Sequence, residues 1–221
     1  MEQHGISKLD LKRRNRMQVL KILKQRGPTS RIDIAGTLEL TRAAVTIITN
    51  EMIEQGIIAE IGEYKHTTEK APRGRKKILI DINHHYKFAL GGVIEEDVIS
   101  VGLSTLSGAV LDKRNLSIDA KTDRDTMFGF IKTSIGEVLS DNCLKQENIL
   151  GIGFGVFPTM YARLGIDVVG GEPDYKKAEE LVHSYTSLPL VFDNSVKGTS
   201  MANIDFQKSK DPDRHNIAFL Q

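Results

Sequence analysis

The chain has 221 residues, of which 40% are hydrophobic and 27% charged, as in globular proteins that bury a sizeable core. No stretch approaches the roughly 18 apolar residues of a membrane span, and the N-terminus lacks the apolar core of a signal peptide, so we expect a cytoplasmic protein. The net charge of +1 is the sum of two unlike parts. Residues 1–80 carry 16 Lys and Arg against 9 Asp and Glu, whereas residues 81–221 carry 14 against 20. This asymmetry indicates an N-terminal module that faces nucleic acid and an acidic partner domain.

The single cysteine, Cys143, can form neither an internal disulfide nor a zinc site, which fits a reducing cytosol. None of the six histidines has metal-ligand spacing with carboxylates. We therefore expect no metal and no cofactor.

Three helices are predicted in the first 56 residues. Asp10–Gly27 has apolar residues at helical spacing and ends at a glycine. Ser30 with Asp33 three residues later resembles a capping box and predicts the start of the second helix. Thr41 is a suitable N-cap for the third helix, and Gly56 a suitable C-cap. The predicted apolar faces are Met17, Val19, Leu20, Ile22 and Leu23 in the first helix, Ile34, Ala35 and Leu38 in the second, and Val45, Ile48 and Met52, which should face the core, in the third.

Two strands and a basic loop follow. The runs "IIAEIGEY" and "KILIDIN" predict an outgoing and a returning strand, and "TEKAPRGRKK" between them is a loop that carries Arg73, Arg75 and Lys76. Three short helices followed by a β-hairpin form a winged helix-turn-helix, whose third helix enters the major groove N-terminus first. The basic loop is then the wing tip, where Gly74 lets the backbone approach phosphate or the minor groove. A nuclear-type sorting signal is the alternative from composition alone.

The outward positions near the start of the third helix carry side chains suited to DNA. Arg42 can reach guanine edges or phosphates, and Asn50 can pair with adenine. The hydroxyls of Thr41 and Thr46 can contact phosphates. We predict these residues and the basic loop as DNA contacts. The alternatives are a helical domain with a solvated face and a winged helix that binds protein; the latter would show weak salt dependence of any DNA binding.

The rest of the chain predicts an α/β lobe. The runs "YKFALGGVI", "DVISVGLSTL" and "GAVLDKRNLSI" read as three antiparallel strands, and "DRDTMFGFIKTSIGEVLSDN" as an amphipathic helix. Strand "ILGIGFGVFP", helix "DYKKAEELVHSYTS", strand "LPLVFDN" and helix "SVKGTSMANIDF" complete the order βββαβαβα. The run "NIAFLQ" predicts the start of one more strand.

The whole chain resembles the ROK family (repressors, open reading frames and kinases). The resemblance is carried by Asn15 in "KRRNRMQVLKIL", by "TSRIDIAGTLELTRAAVTIITNEMIEQGIIAEIG" and by "GRKKILIDIN". Family regulators typically open the second helix with a Ser-Arg pair, here Ser30 and Arg31, which the resemblance adds to the predicted DNA contacts. They open the third helix with another such pair, here Thr41 and Arg42. A Ser-Arg pair one turn later is replaced here by "TI", so one usual basic contact is absent.

The resemblance implies two domains. Residues 1–83 would be the winged helix-turn-helix, and residues 84–221 the first lobe of the actin-like, ribonuclease-H-like sugar-kinase fold. A typical member continues with a second lobe of similar size, so we expect this chain to be truncated after the first lobe. No closed cleft for nucleotide and sugar could then form.

The kinase residues that the resemblance implies are absent. The Asp of the family's "DIGGT" strand falls on Val93, and the catalytic Asp falls on Ser195. Serine is not a base without an activating partner. Gly91 and Gly92 are expected to serve packing rather than to cradle phosphate. The alternative of a sugar kinase with an appended helix-turn-helix predicts aspartate at both positions, so we expect no enzymatic activity.

The resemblance leaves weak candidates for a sugar or sugar-phosphate site. Asp193, Asn194 and Gly171 could touch a polyol, although "TMYARLG" replaces the family's acidic turn. For Asn194 and Ser195 the alternative is a helix N-cap, which both residue types favour.

The function that the resemblance implies is a sequence-specific DNA-binding transcriptional regulator, a repressor of carbohydrate-related genes. Such regulators bind palindromic operators as homodimers or higher oligomers.

Overall fold

The computed structural model of the protein describes residues 7–63 and 77–206. The predicted DNA contacts Arg73, Arg75 and Lys76 and the last predicted strand lie outside these residues. None of the described helices is long and apolar enough to cross a membrane.

The chain divides into two compact units, Met1–Tyr86 and Lys87–Gln221. In its described residues, the first unit combines three helices with a three-stranded antiparallel sheet in which β3 lies between β1 and β2. The short strand β1, which pairs with the middle of β3, adds to the predicted order of three helices and two strands. These elements are α1 (Lys8–Arg26), β1 (Thr29–Ser30), α2 (Arg31–Leu38), α3 (Arg42–Glu54), β2 (Ile58–Glu63) and β3 (Ile78–Ile82).

The core of this unit confirms the apolar residues predicted for α2 and α3 but corrects one residue of α1. Met17 is 63% exposed, whereas Val19, Ile22 and Leu23 are buried. Since successive residues turn by about 100°, Met17 lies on the far side of the helix from Val19. The buried residues are Val19, Ile22, Leu23, Ile34, Ala35, Val45, Ile48, Met52, Ile58 and Ile80, with Leu20 and Leu38 partly buried against them.

The predicted stop of α3 at Gly56 is confirmed. The Gly56 N–H donates to the Ile53 carbonyl at 2.8 Å, and the Ile57 N–H donates to the Met52 carbonyl at 2.9 Å. These two hydrogen bonds form a Schellman motif, which requires a residue with left-handed backbone angles after the helix C-cap. Gly56 has φ 74°. The closure turns the chain directly from α3 into β2.

The second unit is an α/β lobe with a five-stranded mixed sheet in the order β10-β7-β4-β5-β6. Strands β10, β7 and β4 are parallel, whereas β4, β5 and β6 form an antiparallel meander. The predicted order is present, with an unpredicted short helix and hairpin after β7. The elements are β4 (Phe88–Ile94), β5 (Val98–Thr105), β6 (Val110–Ser117), α4 (Arg124–Asp141), β7 (Ile149–Val156), α5 (Tyr161–Leu164), β8 (Asp167–Val169), β9 (Glu172–Asp174), α6 (Lys176–His183), β10 (Leu190–Asn194) and α7 (Ser195–Phe206).

The two glycines of β4 play different parts. A Cβ at Gly92 would stand 2.3 Å from the Phe154 ring and 2.9 Å from the Ser100 carbonyl oxygen, so close packing requires glycine there. A Cβ at Gly91 would meet nothing nearer than 3.9 Å, so the packing role predicted for both glycines holds for Gly92 alone. Val93, next in the strand, is 38% exposed.

Candidate nucleic-acid interface

Polar side chains stabilise the start of α2. The Ser30 hydroxyl accepts from the Asp33 N–H at 3.3 Å and donates to Asp33 Oδ2 at 2.6 Å. Lys77 Nζ, just before β3, donates to both carboxylate oxygens of Asp33 at 2.8 and 3.2 Å. The hydrogen bonds from Lys77 and Ser30 lower the pKa of Asp33 below its ordinary value. Ser30 is only 2% exposed, so the structure places this predicted DNA contact inside the unit.

Arg31 joins three elements of the unit. Its Nε donates to Thr49 Oγ1 at 3.0 Å and its Nη2 donates to Asn50 Oδ1 at 3.1 Å, both on α3. The same Nη2 stands 2.8 Å from Glu60 Oε1 on β2, and the Arg31 side chain is 21% exposed. Two of the predicted DNA contacts, Arg31 and Asn50, are therefore bonded to each other.

The start of α3 has a different environment. The Thr41 hydroxyl accepts from the Ala44 N–H at 3.2 Å and so caps the helix. Arg42 is exposed, and its guanidinium has no hydrogen-bond or ion-pair partner among the described residues. The first N–H groups of a helix and its dipole favour a bound anion, and an unpaired arginine beside them adds to this preference.

The outer face of α3 is opposite its buried face, which contains Val45, Ile48 and Met52. The Thr46 hydroxyl on the outer face donates to the Arg42 carbonyl at 2.8 Å. Ile47 is 62% exposed. Sequence reasoning treated Ile47 only as the place of an absent arginine, although its spacing from the buried residues puts it on the outer face. The exposed residues of this face are Arg42, Ala43, Thr46, Ile47 and Asn50.

The predicted effector contacts lie in the other unit, at the end of β10. Asn194 Oδ1 accepts from the Val196 N–H at 2.8 Å, so Asn194 caps α7, as the alternative interpretation expected. Asp193 pairs with Lys197 Nζ at 2.6 Å. Burial opposes the ionisation of Asp193, but the Lys197 ammonium and the Asn194 N–H together lower its pKa. The Ser195 hydroxyl is buried without a hydrogen-bond partner among the described residues.

A tyrosine pair that the sequence did not suggest lies close to this strand end. The Tyr175 hydroxyl donates to the Tyr161 hydroxyl at 3.2 Å, and the Tyr175 ring stacks on Phe192 with centroids 5.9 Å apart. Burial, the Tyr161 hydroxyl and nearby acidic charge raise the pKa of Tyr175, so its hydroxyl stays protonated. The strand end therefore holds a protonated hydroxyl, which donates to Tyr161, as well as a carboxylate.

Similar proteins are regulators. The xylose repressor of Caldicellulosiruptor bescii is 23% identical over 193 residues, which are 86% of this chain and 47% of the repressor. The DNA-binding transcriptional dual regulator NagC of Escherichia coli is 32% identical over 151 residues, which are 68% of this chain and 36% of NagC. The chain belongs to the ROK family. No protein-family model matches the sequence.

A solved structure of a ROK family transcriptional regulator, a homologue of Escherichia coli Mlc, has the same fold. It matches with a TM-score of 0.59 and 22% identity over 87% of this chain and 48% of that chain. The predicted α/β fold is therefore confirmed; its sheet is mixed, and the fold is close to that of this ROK regulator. The chain spans about half the length of the curated relatives it matches.

Proposed function

We propose that this ROK chain is a sequence-specific DNA-binding transcriptional regulator, a repressor of carbohydrate-related genes that acts in the cytoplasm. The observation that carries the proposal is the start of α3, where the exposed Arg42 has no partner among the described residues. The xylose repressor and NagC, to which the chain is similar, support the proposal by their names.

The N-terminal unit, about residues 1–83, is proposed to be a winged helix-turn-helix in which α3 enters the major groove. Its N-terminus would face a phosphate, with Thr41 and Arg42 closest to the DNA. The guanidinium of Arg42 could then bind guanine O6 and N7 or a second phosphate. The basic loop that contains Arg73 and Arg75 is proposed, on composition, to contact the backbone.

Arg31 supports this interface from within. Arginine has no acceptor atom, so the side-chain oxygen of Asn50, and not its nitrogen, must face the guanidinium. The amide nitrogen of Asn50 is then left to donate to a base acceptor such as a purine N7. Arg31 is proposed to orient a base contact rather than to bind DNA itself.

The second unit, residues 84–221, is proposed to be an effector lobe without kinase activity. Val93 and Ser195 stand where the kinase aspartates are expected, and the Ser195 hydroxyl has no hydrogen-bond partner among the described residues that could activate it. Asp193 and Asn194 remain candidate contacts for a sugar or sugar phosphate, although both also have partners within the chain.

We propose that the regulator acts as a homodimer or higher oligomer on palindromic operators.

The test starts from a random duplex library. The full 221-residue protein selects duplexes, and fluorescence anisotropy then measures their Kd from 50 to 300 mM KCl. A regulator that neutralises several phosphates should lose affinity steeply with salt, with a log–log slope of about −0.9 per phosphate. A flat salt dependence, or no enrichment at low salt, would rule out the DNA role.

A second measurement concerns the effector. Xylose, N-acetylglucosamine and their phosphates are added to the protein–duplex complex. Release by one of them, weakened by Asp193→Asn with Asn194→Ala, would support an effector site at the end of β10. Unchanged release in that double variant would place the effector elsewhere.

A further inference from the structure

The middle of the outer face of α3 has an apolar character. Ala43 and Ile47 are one turn apart on this face, and Ile47 is 62% exposed. Isoleucine has a lower helix propensity than lysine, arginine or glutamate, so helix stability alone does not favour it at this position. A single exposed isoleucine is common on protein surfaces, and it is the position of Ile47 that makes it informative.

The polar groups next to this patch already have hydrogen-bond partners within the unit. The Thr46 hydroxyl hydrogen is donated to the Arg42 carbonyl, and the side-chain oxygen of Asn50 accepts from Arg31. From Arg42 to Asn50 the helix contains no acidic residue. The surface therefore combines one cation near the helix start, the Thr46 hydroxyl, an apolar patch, and the Asn50 amide nitrogen one turn further on.

This pattern matches one feature of the major groove. The C5-methyl group of thymine is the apolar group that a base edge presents there, among oxygen and nitrogen donors and acceptors. A methylated cytosine presents the same methyl group at the same ring position. Aspartate or glutamate on the patch would be repelled by the negatively charged phosphates of DNA. Between Arg42 and Asn50, α3 contains neither residue.

We propose that Ile47, with Ala43, is a specificity-determining residue that contacts the C5-methyl group of a pyrimidine, normally thymine, in the operator. The proposal rests on the DNA-binding role of α3 proposed above and extends it to one base. Ile47 then replaces the missing arginine with a contact of another kind, since it prefers T·A where an arginine would prefer G·C. Burial of one methyl group corresponds to about a fourfold gain in affinity.

The experiment removes single methyl groups from the DNA. Duplexes selected by the full-length wild-type protein are rebuilt with each thymine replaced in turn by deoxyuridine, which lacks only the methyl group. The expected result is a loss of about fourfold at one or two positions per half-site for the wild type. The Ile47→Ala variant should lose most of the preference for thymine over uracil at those positions, and Ala43 should keep the remainder.

Three controls test the specificity of the result. Ile32→Ala removes an isoleucine that is 45% exposed on α2, and it should leave the thymine preference intact. Ile47→Val, which keeps a β-branched side chain, should retain part of the preference. When the sensitive T·A pair is replaced by C·G, the protein should bind the duplex more tightly if the cytosine carries a 5-methyl group. This result would show that the methyl group, and not the base, is recognised.

Each outcome decides the proposal. Thymine sensitivity of wild-type size in Ile47→Ala, or wild-type binding with no sensitive thymine, overturns the role of Ile47 and leaves DNA binding in place. Failure of the wild type to enrich any duplex overturns both the inference and the proposed function.

Discussion

Two neighbouring helices of the N-terminal unit open with the same chemistry and have different environments. Ser30 and Arg31 open α2, whereas Thr41 and Arg42 open α3, and both hydroxyls cap their helix. Arg31 is bonded to α3 and β2 and is 21% exposed, whereas Arg42 is exposed without a partner among the described residues. The same pair of residue types thus supplies a structural connection in α2 and, as far as the described residues extend, an unpaired cation in α3.

The difference between the environments of Arg31 and Arg42 follows from the position of each helix start relative to the sheet. Ser30 also belongs to β1 and pairs with Leu79 of β3, so α2 starts directly beside the sheet. Arg31 can therefore reach Glu60 on β2. Thr41 belongs to no strand, and the start of α3 is left exposed. The position of a helix start in the fold, and not its sequence alone, decides what its arginine does.

The largest expected effect is on DNA affinity. Arg42→Ala should weaken binding to a selected duplex by about 1–3 kcal/mol and relax sequence preference, because it removes an exposed cation that can reach base edges or phosphate. Stability should not change, since Arg42 has no partner to lose among the described residues. Anisotropy measures the Kd, with Arg124→Ala in the other unit as a control that removes the same charge. Affinity within twofold of the wild type would contradict this assignment.

The second effect is on the stability of the N-terminal unit. Arg31→Ala should destabilise it by about 1–3 kcal/mol, because Glu60 and Asn50 lose a charged partner. Hydrogen exchange followed by mass spectrometry should show faster exchange in α2 and α3. A double-mutant cycle with Glu60→Gln isolates the ion pair, for which we expect a coupling energy of at least about 0.5 kcal/mol.

The same variant distinguishes an internal from an external role. If Arg31 contacted phosphate, its removal would lower affinity and the salt slope while exchange in α2 and α3 stayed at the wild-type rate. That pattern would place Arg31 with Arg42 and remove the contrast between the two helix starts.

The helix ends were predictable from sequence because they depend on local bonds. The caps at Ser30 and Thr41 use an N–H three residues later, and the closure at Gly56 spans one turn. Apolar spacing likewise predicted the buried faces of α2 and α3. Met17 was misjudged because a stripe of five apolar residues is wider than the buried face, and only packing shows which edge is exposed.

The partners of Arg31 were not predictable. Thr49 and Asn50 are 18 and 19 residues away in sequence, and only the crossing of α2 and α3 brings them together. The hairpin of β8 and β9 was missed for another reason, since strands of three residues are too short to show an alternating pattern. At the end of β10, the capping role of Asn194 was foreseen as an alternative, but the tyrosine pair beside it depends on tertiary packing.

A smaller effect on helix stability is expected when the capping hydroxyls of α2 and α3 are removed. Ser30→Ala and Thr41→Ala should each cost about 1 kcal/mol of helix stability. The cost should be greater for Ser30, because its hydroxyl also donates to Asp33 and is buried. Exchange rates in the first turns of α2 and α3 measure the two costs in the same experiments. Equal costs would mean that the Asp33 contact contributes nothing beyond the cap.

The smallest effect is a pH dependence at the start of α2. The pKa of Asp33 is lowered in the folded protein by hydrogen bonds from Lys77 and Ser30, so its carboxylate contributes stability above its unfolded pKa. That contribution is lost as the pH falls below about 4 and through the lowered pKa. Asp33→Asn should therefore cost about 0.5 kcal/mol at pH 7, a small value because the pair is exposed, and should flatten the acid side of the stability profile.

Lys77→Gln is the matched control for this profile, since it removes the first of the two causes and leaves the carboxylate in place. The variant should raise the pKa of Asp33 towards its ordinary value and so reduce the loss of stability in acid. Asp10→Asn changes a carboxylate that accepts from the Ser7 hydroxyl but has no lysine partner among the described residues, and it should leave the profile of α2 unchanged. A wild-type profile for α2 that is flat between pH 5 and 2.5 would show that Asp33 does not fasten this helix start, and Arg31 alone would then distinguish it from the start of α3.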